Sequence, residues 1–541
     1  MQTFGDMPLL ISSLLPADNG NFVPNEIVDA AGLRYGYPEF IRRIRKFANV
    51  LATLGVEQGE TIAVLDWDSH LYLESYYAIP SMGCVLQTVN IRLSPEQVRY
   101  TISHAGAKTA IVHPEFVPFL QGEWKDGCPL ERVILIGAND VGGTIPEGVT
   151  VHSDILTRID DASADYVWPE LDERATATRF YTSGTTGLPK AVFYSHRQIV
   201  LHTLAILATF GTSPVQGRLH KDDVYMPITP LFHAHAWGTP YAATLIGAKQ
   251  VYPGRYVPEK LLRLIQDEGV TFSHCVASIL QMLLDDPLAK EIDWKGRKML
   301  IGGGPLPEGL ARRALDTGMD IFSGYGMSET GPVQTINHLT TAELQQPMEE
   351  QVALRTRAGR PVVLCNIKAV SDDCAPLPVG VDGEIVFRSP WLTAAYADDA
   401  VASAELWAGS WLHSGDIGHF GADGALRITD RLKDVIKSGG EWISSQQLEG
   451  LISQVDGVSE VAVIGVPDEK WGERPLALIV PVAGAANCDK RVLDRLAELA
   501  DAGVLPRYAV PETVKLVDGL ARTSVGKLNK KVLRTLYGPK E

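Results

Sequence analysis

The sequence is short of several features that would assign it to a class at once. Its 541 residues include no run of 18 apolar residues, so no membrane-spanning helix is expected. The N-terminus has no basic stretch and carries Asp6 early, which makes it a poor signal peptide. The six cysteines form no Cys-x-x-Cys pair, which argues against a structural metal site. We therefore expect a cytoplasmic protein with reduced, mostly buried cysteines.

Positive charge is also scarce. The chain has 49 Lys and Arg against 65 Asp and Glu, which gives a formal net charge of −16. This balance argues against the broad basic face of a nucleic-acid-binding protein. Any phosphate site must therefore be locally basic against an acidic background.

What is present predicts layered α/β structure. Apolar residues make up 45% of the chain, enough to bury large cores. Helical and strand patterns alternate, with one helix from Pro38 and another from the capping box at Ser94 to His104. From about residue 350 the composition shifts to short strands with Asp-Gly and Gly-Asp steps, which predicts hairpins in a small barrel-like unit.

A charged segment, Asp430-Arg-Leu-Lys-Asp434, interrupts these strands and marks a domain boundary. Beyond it the pattern is that of a compact α+β unit. We therefore predict a large N-terminal domain over residues 1–430, a hinge at 431–433 and a small C-terminal domain over 434–541.

The stretch from Tyr181 to Lys190, YTSGTTGLPK, has the composition of a phosphate cradle. Glycine allows close backbone approach, hydroxyls donate hydrogen bonds and lysine supplies positive charge. It is not a Walker loop, because Pro189 and a strand-like run follow instead of a helix. The next helix is predicted only after Ser195, so phosphate would be held by a hairpin loop.

Three further segments carry candidate site residues. Pro230–Trp237 lies where a predicted strand gives way to a loop, a common ligand position, although by itself the segment slightly favours two structural histidines. Two strands end in glycine, at Gly302–Gly304 and at Gly324-Tyr-Gly326, and could form a slot for a flat ring or two ordinary turns.

The C-terminal tail carries basic residues after a predicted turn at Thr523–Lys527. Lys527, Lys530, Lys531 and Arg534 are spaced so that they would share one face of a helix. Such a stripe is typical of a solvated face. Lys527 differs because it follows Gly526 at the turn and could project from the domain.

Taken in order, these motifs resemble the adenylate-forming superfamily of acyl-CoA synthetases, peptide-synthetase adenylation domains and luciferases. The resemblance covers most of the chain and rests on YTSGTTGLPK, GYGMSET, HSGDIG, DRLKDVIKSGGEWIS and TSVGKL. Two further stretches, LFHAHAWGTPYAATLIGAKQV and DEKWGERPLALIV, are similar to the fatty-acyl-CoA synthetase branch. That branch often forms homodimers.

The resemblance implies that ATP, Mg²⁺ and CoA are the cofactors. Lys527 would promote adenylation, His233 would lie near the acyl carboxylate, and Trp237 would be the gate of the acyl pocket. Glu329 would bind Mg²⁺ with help from Thr185. The acid would also touch Gly302, Gly326 and Met327.

The resemblance also implies residues that bind ATP and CoA. The phosphate loop would use Thr182, Ser183, Gly184, Thr185, Thr186, Gly187 and Lys190. Around adenine, ribose and the α-phosphate would lie Gly302, Gly303, Gly304, Pro305, Ser323, Gly324, Tyr325, Gly326, Met327, Ser328, Asp416, Ile428, Arg431 and Trp442. The hinge and the pantetheine channel would use Lys433, Lys437, Ser438, Gly439, Gly440 and Glu441.

The function implied is an ATP-dependent ligase that joins a carboxylic acid to CoA through an acyl-AMP, with the C-terminal domain rotating between the two steps. Medium- or long-chain fatty acids are the first expectation, followed by aryl or arylalkanoic acids or a short thioether acid. A carrier-protein-loading enzyme is a second hypothesis. A binding protein with a dead site is disfavoured, because Lys527, Glu329 and Asp416 are all present.

Overall fold

The computed structural model describes residues 7–16, 25–125, 127–137, 145–182, 188–439, 441–523 and 526–538. Within these ranges, no helix has the length and apolar character needed to cross a membrane. The α-helices in chain order, α1 to α14, are Tyr37–Thr53, His70–Ser81, Pro95–His104, Ile155–Asp161, His196–Thr212, Thr239–Leu245, Pro258–Asp267, Ala277–Asp285, Glu308–Asp316, Met348–Arg355, Ala400–Leu406, Ser445–Ser453, Cys488–Asp501 and Lys530–Tyr537.

The strands, β1 to β25, are Glu26–Asp29, Arg34–Gly36, Thr61–Leu65, Val85–Thr88, Thr109–Val112, Arg132–Leu135, Thr150–His152, Thr176–Thr182, Lys190–Ser195, Val224–Pro227, Lys249–Tyr252, Phe272–Cys275, Lys298–Ile301, Asp320–Gly326, Val333–Ile336, Arg360–Pro361, Asn366–Val370, Gly383–Arg388, Leu412–Phe420, Leu426–Arg431, Ile436–Ser438, Glu441–Ile443, Val458–Asp468, Gly472–Pro481 and Thr513–Leu516.

Two large sheets form the body of the molecule, as the alternating pattern predicts. The first sheet has the strand order β7-β6-β5-β3-β4-β8-β9 and is parallel except for the β8–β9 hairpin. The second sheet has the order β16-β15-β14-β13-β12-β10-β11-β1-β2, with a parallel centre from β1 to β14. Helices cover both sheets, and their apolar faces form the main cores.

The small barrel-like unit expected after residue 350 takes the form of an antiparallel sheet in the order β17-β18-β19-β20. Strand β20 leads directly into the C-terminal unit. There β22, β21, β24 and β23 are antiparallel and β25 runs parallel to β24. The α/β body with a smaller α+β C-terminal unit is therefore confirmed.

Two helix starts illustrate why local sequence predicts these elements well. Helix α3 begins after Ser94, whose hydroxyl accepts a hydrogen bond from the Gln97 N–H while the Gln97 side chain accepts from the Ser94 N–H. Helix α5 begins in the same way after Ser195, with Gln198 as its partner. Both predicted N-caps are confirmed.

The basic stripe predicted at the C-terminus does not form. Helix α14 begins at Lys530, so Lys527 lies outside the helix in the preceding turn and cannot share a helical face. Lys530 points inward and pairs with the buried carboxylate of Glu449 at 2.7 Å. The prediction of one solvated face is wrong because a distant carboxylate draws Lys530 into the domain.

Candidate active site

Three loops of the second sheet meet the C-terminal unit around one cavity. The loops follow β10, β13 and β14, whose carboxyl ends lie at the same edge of the sheet, the usual position of ligands in such folds. The C-terminal unit contributes Lys527. The lining residues are His233, Ala234, Trp237, Leu300, Gly302, Gly303, Gly324, Tyr325, Gly326, Met327, Ser328, Pro332, Val333 and Lys527.

The two glycine-rich strand ends form one wall of this cavity. Gly326 has φ of +158°, and a Cβ atom built there would lie 1.7 Å from the carbonyl oxygen of Pro332. A side chain at this position is therefore excluded. The structure brings both strand ends to one cavity, and their backbone can approach a ligand closely.

Trp237, which is predicted to face the acid, lies on an unusual stretch of backbone, residues 234–238. We call this stretch the acid-facing turn after that prediction. Ala234, His235, Ala236, Trp237 and Gly238 all have positive φ, between +45° and +76°. A left-handed conformation costs a non-glycine residue about 1–2 kcal/mol, so four such residues in succession store considerable strain. His233 directly precedes the turn and Trp237 lies within it, and both line the cavity.

His233 is a neutral group in this setting. Withdrawal from water, together with the positive charges of Lys527 and Arg92, lowers its pKa to about 3. At neutral pH its ring can therefore donate or accept a hydrogen bond but carries no charge.

Lys527 reaches the cavity from a short hairpin in which Arg522 and Leu528 pair. The carbonyl oxygen of Gly526 accepts a hydrogen bond of 3.1 Å from the Ser278 hydroxyl on α8, which docks the hairpin on the large domain. A Cβ atom built on Gly303 would lie 3.1 Å from Cε of Lys527, so the missing side chain makes room for the lysine.

The ammonium group of Lys527 is easily deprotonated for a lysine. Withdrawal from water and the positive charge of Arg431 lower its pKa to about 8, against the opposing effect of Asp416 and Glu329. A lysine of this kind is still largely cationic at neutral pH. It can therefore neutralise an anion that enters the cavity.

Beside the cavity, Glu329 belongs to a chain of contacts that reaches the predicted phosphate loop. The carboxylate of Glu329 accepts a hydrogen bond of 2.7 Å from Tyr396. The ammonium of Lys190 lies 4.9 Å from the centroid of the Tyr396 ring and 3.3 Å from Asp399. The backbone oxygen of Ser328 is held by Tyr194. Lys190 is thus connected to Glu329 although they lie far apart in sequence.

Asp416, predicted to bind ribose, is already paired. Its two carboxylate oxygens accept hydrogen bonds from the Tyr325 hydroxyl at 2.7 Å and from Arg431 at 3.1 Å. Burial and the charge of Asp416 raise the pKa of Tyr325 well above its ordinary value. A diol would therefore have to share or replace these partners.

The residues present fit a magnesium ion. Glu329 offers one buried carboxylate, and within the described ranges no group of three His, Cys, Asp or Glu residues could hold a metal by itself. Mg²⁺ commonly binds through one or two carboxylates together with substrate phosphates, and does not need a cage of protein ligands. Thr185, predicted as a second ligand, lies outside the described residues.

Other predicted residues lie away from the cavity lining. The Ser323 hydroxyl donates to the backbone oxygen of Arg355, and Ile428 packs in the core of the third sheet. The described residues that are predicted for the site but do not line the cavity also include Thr182, Gly304, Pro305, Lys433, Lys437, Ser438, Gly439, Glu441 and Trp442. Ser183, Gly184, Thr186, Gly187 and Gly440 lie outside the described residues.

The C-terminal glycine turn joins β21 to β22. Gly439 donates a hydrogen bond to the Trp471 carbonyl, and Trp442 is half exposed. None of the turn's described residues lines the cavity that Lys527 enters. The structure therefore brings Lys527, and not the described part of the glycine turn, to the cavity that His233 and Trp237 line.

Sequence reasoning missed Tyr396 and Ser278. Tyr396 holds Glu329, and Ser278 docks the Lys527 hairpin. Neither residue lies in a glycine-rich or charged motif, so no local signal could have identified them.

Comparison with known proteins agrees with this architecture. The family model for the AMP-binding enzyme matches residues 22–397, and that for the AMP-binding enzyme C-terminal domain matches residues 447–527. The chain therefore belongs to the AMP-binding enzyme family, and this membership confirms the adenylate-forming resemblance.

Individual relatives match over nearly the whole chain. A long-chain-fatty-acid–CoA ligase of Thermus thermophilus is 36% identical over 510 residues, covering 93% of this chain and 90% of that protein. A 3-methylmercaptopropionyl-CoA ligase of Ruegeria lacuscaerulensis is 35% identical over 538 residues and covers 97% of both. The fold matches an anthranilate CoA ligase bound to anthranoyl-AMP, with a TM-score of 0.84, 22% identity and 98% coverage of both chains.

Proposed function

We propose that this protein is an ATP-dependent acid–CoA ligase. One observation carries the proposal: Lys527 of the C-terminal unit and His233 of the large domain line the same cavity, next to Ser328. This arrangement combines a cation for phosphate with a neutral group for a carboxylate. The relatives named above, which are CoA ligases, support it.

In the first half-reaction, a carboxylate oxygen of the acid attacks the α-phosphorus of ATP. A carbonyl–O–P bond forms, the α–β phosphoanhydride bond breaks and pyrophosphate leaves. Both reactants are anions, so the site must neutralise charge as they approach. Lys527 supplies a cation, and the Ser328 hydroxyl and the His233 ring orient the reacting oxygens.

Mg²⁺, when bound at Glu329, would neutralise further phosphate charge. The chain itself contributes the carboxylate and its orientation through Tyr396. The predicted phosphate loop, ending at Lys190, would hold the β- and γ-phosphates until pyrophosphate leaves.

In the second half-reaction, the thiol sulfur of CoA attacks the acyl carbon. A C–S bond forms, the C–O bond to AMP breaks, and the thiol proton passes to solvent. A thiol with a pKa near 8.5 needs little help from a protein base. The Ser438–Gly440 turn would line the pantetheine channel once the C-terminal unit has rotated.

We place the hinge at residues 431–433, between domains 1–430 and 434–541. Two contacts support this position: Leu432 N–H donates to Gly415 of the large domain, whereas the Lys433 carbonyl accepts from Arg534 of the small one. The partners thus change between residues 432 and 433. Rotation there would also separate Asp430 from Ser445, whose N–H and hydroxyl both donate to its carboxylate.

The acid has an apolar body in this proposal, and medium- or long-chain fatty acids come first. Trp237 supports this, because its large apolar ring lines the cavity and packs against His274, with ring centroids 5.0 Å apart. An enzyme that consumes ATP and CoA would work in the cytoplasm, where both are available.

The test is a pyrophosphate-release assay with and without CoA over a panel of fatty, aryl and short thioether acids. We expect turnover that depends on both acid and CoA and yields acyl-CoA and AMP. Sustained turnover without CoA would favour loading of a carrier protein. If none of the acids in the panel causes pyrophosphate release, the ligase function is contradicted.

A further inference from the structure

The acid-facing turn, residues 234–238, is fixed in place from a part of the molecule that contains no residue of the cavity. Buried side chains of the first-sheet region bond the backbone just before it. The Leu231 N–H donates to Asp68 at 2.9 Å, the Tyr76 hydroxyl donates to the Leu231 carbonyl at 2.5 Å, and the Thr88 hydroxyl donates to the Phe232 carbonyl at 3.1 Å.

The three clamping side chains are at most 3% exposed. They come from different elements: Asp68 from the loop before α2, Tyr76 from α2 and Thr88 from the end of β4. Their targets are consecutive residues of an irregular segment, whose backbone groups would otherwise need another partner inside the protein. Convergence of three elements on the backbone of two consecutive residues is more specific than ordinary core packing.

The other side of the turn is held as well. The Thr239 hydroxyl donates to the Ala236 carbonyl at 2.6 Å, and both Tyr225 and His274 lie 2.8 Å from its oxygen. The strained residues thus lie between two anchored ends. Residues in left-handed backbone persist only where the surroundings determine their conformation.

We propose that Asp68, Tyr76 and Thr88 are positioning residues for acid binding. They hold the turn in its left-handed conformation and thereby place His233 and Trp237 against the acid. Without them, the strained residues relax toward ordinary backbone and the two cavity side chains move. The inference rests on the proposed ligase function, since it assigns the turn to the acid.

The chain offers two matched pairs of isosteric variants for a test. Thr88→Val removes one clamping hydroxyl. Its control is Thr178→Val on the neighbouring strand β8, where the buried hydroxyl has no hydrogen-bond partner within the described part of the chain. Tyr76→Phe removes the second clamping hydroxyl. Its control is Tyr72→Phe on the same helix, because the buried Tyr72 hydroxyl also has no hydrogen-bond partner within the described ranges.

We expect Thr88→Val and Tyr76→Phe each to raise the KM for the acid about tenfold, which corresponds to about 1.4 kcal/mol. The KM for ATP should change less than twofold, and both controls should resemble wild type. Melting temperatures of all four variants report folding. A purely structural role would lower stability without separating the two KM values.

Two variants of Asp68 give an independent test, which remains usable if the Thr88 or Tyr76 variants fail to fold. Asp68→Asn keeps an oxygen that can accept from Leu231, so it should retain most of the acid affinity, whereas Asp68→Leu should lose it. Equal acid KM values for clamping and control variants would overturn the inference, as would parallel changes in both KM values. Absence of acid-dependent pyrophosphate release in wild type would instead refute the proposed function.

Discussion

The acid-facing turn and the Lys527 hairpin meet at one cavity but are held in opposite ways. Buried side chains bond the turn on both sides, through Leu231, Phe232 and Thr239. The hairpin meets the large domain through a hydrogen bond from the half-buried Ser278. In our proposal the turn is the rigid half of the site, which binds the acid, and the hairpin is the removable half, which supplies positive charge.

The largest effect should come from removing the charge of the removable half. Lys527→Ala should reduce acyl-AMP formation about a thousandfold, because no other cation on that hairpin reaches the cavity lining in the described residues. Transfer to CoA from supplied acyl-AMP should persist. Lys531→Ala, on the exposed face of α14, is the control. Equal loss of both half-reactions would contradict the division.

Restricting the hinge should affect the two half-reactions differently, although no residue of the cavity lining is changed. Lys433→Pro restricts φ at the point where backbone partners change, and we expect a loss of about a hundredfold in one half-reaction only. Lys433→Ala, which leaves the backbone free to rotate, should keep both. Full overall turnover by the proline variant would argue against rotation there. Single-turnover assays of each half-reaction make the measurement.

A smaller effect should follow the titration of Lys527. Its lowered pKa, about 8, means that the cation is present below pH 8 and is lost as the pH rises through that value. We expect kcat/KM for ATP in adenylation to fall about tenfold per pH unit above pH 8. His233 stays neutral across this range because its pKa is about 3.

Lys527→Arg should flatten this alkaline decline, because guanidinium stays charged. The same decline in CoA transfer from supplied acyl-AMP would assign the titration to another group.

The smallest effect should come from weakening the dock of the hairpin. Ser278→Ala removes its hydrogen bond to the Gly526 carbonyl and should slow adenylation about fivefold, the equivalent of about 1 kcal/mol. The matched control is Ser273→Ala on β12, whose buried hydroxyl has no partner within the described ranges. An unchanged adenylation rate in Ser278→Ala would show that the hairpin is held by other contacts.

Features that depend on neighbours in the sequence could be predicted from the sequence alone. Local patterns were sufficient for helices such as α3 and α5, because the cap at Ser94 or Ser195 involves neighbours three residues away. The glycine-rich strand ends, predicted to form either a slot or two ordinary turns, lie on one cavity together with Lys527. These features depend on residue type at fixed local spacing.

Long-range contacts decide what sequence could not predict. Nothing in Ala-His-Ala-Trp indicates left-handed backbone. In our proposal Asp68, Tyr76 and Thr88, which lie far away in sequence, hold that backbone through Leu231 and Phe232. Lys530 was assigned to a solvated face because Glu449, its partner, lies about eighty positions earlier (530 − 449 = 81). Propensity is a weak guide wherever tertiary partners outweigh it.

Gly303 has a consequence for how this chain can vary. Its φ is +75°, and even a methyl group there would stand 3.1 Å from both Lys527 Cε and Val276 Cγ1. The side chains at positions 303 and 527 therefore compete for the same space, so the size of one limits the size of the other. A substitution at 303 would crowd Lys527 without changing any charged residue.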